Sequence, residues 1–162
     1  MVDVKQIRKL VVTTLEGIDM YSKAAENLIM GTGAVESGYR YIQQLGSGPA
    51  VSFFQCEGAT ISDNIHAYLS YRPGRFELIC DVSMTPNSSA LMNYDKEKLA
   101  QLALQNIAFA ICMTRVKYWR VPKKLPGADD IEGLAKYWKK YFNTVLGKGT
   151  EKKFIEAYKL VS

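Results

Sequence analysis

Between Leu99 and Met113 the chain runs for 15 residues without a charge, LAQLALQNIAFAICM, interrupted only by Gln101, Gln105 and Asn106. At helical spacing these apolar side chains point to nearly every side, and such a helix has to be covered by neighbours. The run predicts the buried central helix of an all-α fold, from about Asp95 to Trp119. Asn93 or Asp95 would cap it, and Pro122 and Pro126 would end it. It is shorter than the roughly 20 apolar residues of a membrane span. At 162 residues and 48% hydrophobic, the chain is long enough for one domain over residues 1–162. Such a domain buries about two-thirds or more of its unfolded surface.

Spacing and punctuation place the other elements. Val4, Ile7, Val11, Leu15 and Ile18 recur three and four apart, the pattern of an amphipathic helix with Lys5, Arg8 and Lys9 outward. Ser22 is the N-cap of a second helix whose inner face carries Ala25, Ile29, Thr32 and Glu36, and Gly31, Gly33 and Gly38 weaken it and end it near Glu36. A turn at Gly46 to Pro49 leads to a short apolar piece, Ala50 to Cys56, suited to one wall of a cleft. A third helix runs from Thr60 to Tyr71, capped by Thr60 or Ser62 and broken at Arg72-Pro73-Gly74-Arg75. Phe76 to Val82 reads equally as a strand or a helical turn, and Thr85 to Ser89 as a loop. Asp129 and Asp130 start a helix to about Tyr141, and Thr150 caps a last one over Glu151 to Leu160.

The net charge of +5 is concentrated late in the chain: from Arg115 onward there are 12 basic and 5 acidic residues, a net of +7, leaving −2 for the first 114. That excess favours an anionic partner. Three cysteines, Cys56, Cys80 and Cys112, and a single His66 have no metal-binding or disulfide spacing, so no metal and no cofactor is expected. The N-terminus, MVDVKQIRKL, lacks the apolar stretch and cleavage site of a signal peptide. Synthesis in a reducing cytoplasm is the expectation.

Chemistry concentrates between Ala34 and Thr60. Glu36 closes an apolar helical face, and a carboxyl held among apolar neighbours keeps its proton to higher pH, as a general acid needs. The residues Glu36-Ser37-Gly38-Tyr39, then Ala50-Val51-Ser52-Phe53-Phe54-Gln55, then Thr60 resemble the pattern of lytic transglycosylases and goose-type lysozymes. Lys136 to Thr144 and Leu146 to Thr150 are similar to the C-terminal signature of small lysozyme-like proteins encoded by bacteriophages. Ser52 stands where that family usually has Gly, Pro49 where Gly is frequent, Gly58 where Pro is frequent, and Phe142 where a Tyr often precedes Asn.

The resemblance implies a lysozyme-like fold and cleavage of bacterial peptidoglycan between N-acetylmuramic acid and N-acetylglucosamine. Glu36 would be the catalytic acid and then the base, with Ser37, Phe53, Gln55, Glu57, Tyr141, Phe142 and Asn143 in contact with substrate. Tyr39, Tyr41 and Phe54 would extend an aromatic groove. A transglycosylase needs no second carboxylate. A hydrolase does, and Glu57, Asp63 and Asp81 are the candidates. The enzyme would be made in the host cytoplasm and reach the wall after holin-type release or as part of a virion.

Two other readings stand beside this one. One is a phage virion or assembly protein that kept the fold and lost turnover. The other is a nucleic-acid binder using Lys117, Arg120, Lys123, Lys124, Lys136, Lys139, Lys140, Lys152 and Lys153, with Tyr118, Trp119 and Trp138 among them.

Overall fold

In the computed structural model, which describes residues 2–143 and 147–162, the uncharged run folds as two helices rather than one. They meet at Asn106 with a bend of 119°. Asn106 is extended (φ −129°, ψ 102°), and its side-chain oxygen caps the second helix by accepting from Phe109 N at 2.9 Å. Its amide nitrogen donates to the Ser83 carbonyl at 2.7 Å, from a segment 23 residues earlier. An Asn that can cap a new helix and satisfy a distant carbonyl stabilises the corner over a continuous helix.

The chain is mainly α. Its helices are α1 (Val4–Gly17), α2 (Lys23–Ser37), α3 (Gly58–His66), α4 (Pro73–Ser83), α5 (Ser88–Met92), α6 (Lys96–Gln105), α7 (Ile107–Trp119), α8 (Ile131–Trp138) and α9 (Glu151–Lys159). A 3-10 turn at Leu69–Tyr71 and a π-turn at Lys139–Asn143 complete the described elements. Of the C-terminal signature, Thr144 and Leu146 lie outside the described residues.

The buried central helix is α7 alone. Phe109, Ala110, Ile111, Cys112, Met113 and Val116 are all at most 1% exposed, and α7 packs against α1, α2, α3, α4 and α6. Each such Phe, Ile or Met contributes about 1.5–3 kcal/mol by leaving water. The preceding α6 is amphipathic and buries only Leu99 and Ala103. No single helix is long and apolar enough to cross a membrane among the described residues.

Caps set several boundaries. Asp3, Ser22, Asp95, Asp130 and Thr150 each accept a backbone N–H of the first turn they precede. The third helix starts earlier than the cap residues suggested, at Gly58, which packs directly under the Lys96 carbonyl of α6, where a Cβ would collide. It also stops at His66, short of the expected Tyr71: the chain goes on as a turn and a 3-10 turn over Leu69–Tyr71, which ends where Pro73 disfavours helical backbone at Arg72. Pro73 then opens α4, so Phe76 to Val82 is helical, with Phe76, Ile79, Cys80 and Ser83 turned inward.

Two further expectations change. Gly31 and Gly33 do not loosen α2: they leave room for the Phe154 ring of α9 and for Tyr39, which would overlap any Cβ there. Arg8 is only partly exposed, since it bonds Glu26 on α2 at 2.5 Å.

Candidate active site

The inner face of α2 is as spaced: Ala25, Ile29 and Thr32 are buried, and Glu36 is half-buried on the last turn. Gly38 ends the helix in the left-handed region (φ 58°), where a residue without Cβ is least strained. The reversal drops Tyr39 into the core, its hydroxyl donating to the Met30 carbonyl at 3.0 Å. Tyr41 then returns to close the helix end, its hydroxyl donating to the backbone carbonyl of Glu36 at 2.9 Å.

Four parts of the chain converge on the Glu36 carboxyl and enclose a cleft of about 660 Å³. The loop after α2 supplies Tyr41 and Gln44, α3 supplies Thr60 and Asn64, α7 supplies Lys117, and the π-turn supplies Phe142 and Asn143. Trp138, at the end of α8, donates its indole N–H to Glu36 Oε1 at 3.1 Å. Burial pushes the Glu36 carboxyl above its ordinary pKa, while the Trp138 N–H and the Lys117 charge work against that rise. The net shift is upward.

Lys117 is held by the same π-turn. Its ammonium donates to the Phe142 carbonyl at 3.1 Å and sits 3.8 Å from the centre of the Phe142 ring. Burial lowers its pKa, against the pull of Cys56, Glu36 and Glu57.

The segment Ala50 to Cys56 forms the opposite wall through two isolated β-bridges, Gln43 with Val51 and Val51 with Cys56. Ser52 (φ 67°) and Gln55 (φ 49°) both adopt left-handed backbone, at a cost of about 1–3 kcal/mol for a non-glycine residue. Local bonds hold them: Ser52 Oγ accepts from Phe54 N at 3.2 Å, and Gln55 Nε2 donates to the Ser52 carbonyl at 2.8 Å.

Of the residues singled out from sequence, Glu36, Gln55, Glu57, Phe142 and Asn143 line the cleft, as do Tyr41 and Thr60. Glu57 is exposed at the rim, before α3, and makes no capping bond. Asn143 Oδ1 accepts from Lys139 Nζ at 2.8 Å.

Three assigned contacts do not fit their positions. Ser37 is buried and occupied locally, donating to the Gly33 carbonyl and accepting from Tyr39 N. Phe53 is 6% exposed and packs on Tyr39 at 5.5 Å between ring centres, and Phe54 is wholly buried. Tyr141 turns to Tyr137, 4.6 Å between ring centres, so its hydroxyl does not substitute for the one Phe142 lacks. Asp63 is engaged by Arg120 at 2.6 Å, and Asp81 is exposed on α4.

The lysine-rich surface also changes: Lys117 and Lys139 turn inward, and Tyr118 and Trp138 are each 1% exposed, leaving Trp119 as the only exposed ring of the three.

Sequence reasoning missed Trp138 and Lys117 as members of the site. A lysine at the end of an otherwise apolar helix was the available signal for Lys117. Trp138 lies inside the stretch that resembles the family's C-terminal signature, but nothing local pointed to its bond with a carboxyl 102 residues away. Among the described residues no cluster of His, Cys, Asp and Glu is arranged to hold a metal ion, and all three cysteines are buried free thiols. Comparison with family models, with characterised proteins and with solved structures finds no match for this chain.

Proposed function

We propose that the chain cleaves the glycan strands of bacterial peptidoglycan by the lytic transglycosylase route, with Glu36 as the only obligatory catalytic group. The observation that carries this reading is a half-buried carboxyl, biased toward its protonated form, in an open cleft with an indole N–H on one oxygen. The walls suit a polyhydroxylated ligand bearing acetamido groups, since Gln44, Gln55 and Asn143 offer amides and Tyr41 and Thr60 hydroxyls.

In the first step Glu36 gives its proton to the glycosidic oxygen as the bond from that oxygen to C1 of the muramic acid breaks, leaving an oxocarbenium-like sugar and a carboxylate. The 6-hydroxyl oxygen of the same sugar then bonds to C1, and its proton passes to Glu36. The acid is regenerated, a 1,6-anhydro ring closes, and no water is consumed. The Trp138 N–H stabilises the carboxylate between the two steps. A chain with this activity acts on the wall after release from the host cytoplasm or as a virion component.

Digestion of purified peptidoglycan, with products weighed by mass spectrometry, tests the proposal. The expected products are muropeptides lighter than hydrolytic ones by one water, and Glu36→Gln lowers their rate by at least about 100-fold. Products at full hydrolytic mass would instead assign Glu57 as a second carboxylate, the one that shares the cleft. Absence of product from folded wild-type protein beside an active control enzyme would overturn the enzymatic reading. It would favour the virion or assembly reading, which the missing hydroxyl at Phe142 supports.

A further inference from the structure

Resting on the peptidoglycan reading of the cleft, we propose that Lys117 is its specificity-determining residue. Its ammonium selects glycan that carries a carboxylate arm over neutral glycan of the same linkage.

The position of the charge is defined at both ends. The stem rises from the buried central helix α7, and the ammonium is drawn onto the Phe142 carbonyl at 3.1 Å and the face of the Phe142 ring at 3.8 Å. That carbonyl uses one of three ammonium donors, and no other acceptor in the described residues takes the remaining two. Glu36 and Glu57 line the same cleft, yet neither forms an ion pair with Lys117. Lys117 is also the only cation among the described lining residues.

A partly desolvated cation that feels Glu36 and Glu57 but contacts neither directly is costly to hold, and the cost is recovered when a ligand brings an anion into contact. The amides and hydroxyls around it suit any N-acetylated sugar, so they do not separate peptidoglycan from chitin. Those two polymers share a β-1,4 linkage and differ in the lactyl group on every second sugar of peptidoglycan. That group ends in a carboxylate, either its own or, where a stem peptide is attached, one of the peptide's.

Binding to the Glu36→Gln protein, which leaves the ligand intact, tests the assignment without relying on turnover. The probes are an N-acetylglucosamine hexamer, a peptide-free peptidoglycan strand of equal length, and the same strand bearing stem peptides, titrated calorimetrically at low and high salt. One or both carboxylate-bearing strands should bind about tenfold tighter than the neutral hexamer. That preference should shrink with salt, vanish in Lys117→Met, and survive in Lys117→Arg, which keeps the charge. Preference for the peptide-free strand assigns the lactyl carboxylate, and preference for the peptide-bearing strand alone assigns a stem-peptide carboxylate.

Equal affinity for all three probes in the protein that retains Lys117, or an undiminished preference in folded Lys117→Met, overturns the inference and leaves the peptidoglycan reading in place. Binding to none of the probes overturns that reading and the inference with it.

Discussion

Glu36 is poised by two opposed effects acting on one carboxyl. Burial favours the neutral acid, while the Trp138 indole and the Lys117 charge favour the carboxylate. For the proposed reaction both are needed, since the group gives up a proton and takes one back. Trp138→Phe removes a donor to the charged form, so the Glu36 pKa rises further and the acid stays protonated to higher pH. The alkaline limb of the pH–rate profile should therefore move to higher pH, at a cost of about 1–3 kcal/mol in stability because Trp138 is fully buried. A limb that stays in place in a folded variant would remove this bond from the account. At this scale the sequence was partly legible. Glu36 could be read from a local helical face, but Ser37 and Phe53, neighbours of cleft residues in sequence, are core residues in space. Adjacent residues near the αL turn at Gly38 and the left-handed Ser52 point in different directions, and spacing alone does not reveal such reversals.

Elements are shaped by where backbone groups find partners. The corner between α6 and α7 exists because Asn106 serves Phe109 N with one side-chain atom and the Ser83 carbonyl with the other. Asn106→Ala deletes the cap and leaves a partly buried carbonyl without its donor, for a loss of about 1–2 kcal/mol. For a chain of this length that lowers the melting temperature by roughly 2–8 °C. Alanine is also the best helix former, so a melting temperature that rises would show that the run prefers to be one straight helix. The caps at Ser22, Asp130 and Thr150 were readable because each acts within three residues of itself. The Asn106 corner was not, because its second partner belongs to another helix.

Across the whole molecule, the first and last helices are tied through α2. Arg8 on α1 bonds Glu26 on α2 at 2.5 Å and the Val161 carbonyl just past α9 at 2.7 Å, while Lys23 and Tyr21 complete the shell around Glu26. Burial alone would push the Glu26 carboxyl up, but the Lys23, Arg8 and Tyr21 bonds together hold it below its ordinary value of 4.5. A carboxyl with a depressed folded-state pKa contributes stability above that ordinary value and loses it as pH falls through the folded one. Glu26→Gln should therefore cost about 2–3 kcal/mol near pH 7, somewhat below a fully buried pair because Lys23 is 58% and Arg8 24% exposed. In denaturant titrations the gap between the two proteins should narrow below about pH 4.5. A gap independent of pH would assign the loss to packing instead of charge.

By itself the sequence determined the all-α class, most helix starts and the placing of Glu36 at a helix end, because caps, breakers and apolar faces act over three or four residues. Only the tertiary structure decided the rest: Trp138 on Glu36 across 102 residues, Arg8 on Val161 across 153, and Lys117 turned into the cleft instead of onto a basic surface. Such pairings depend on how whole helices pack, and no local pattern in the chain encodes which distant group will satisfy a buried charge.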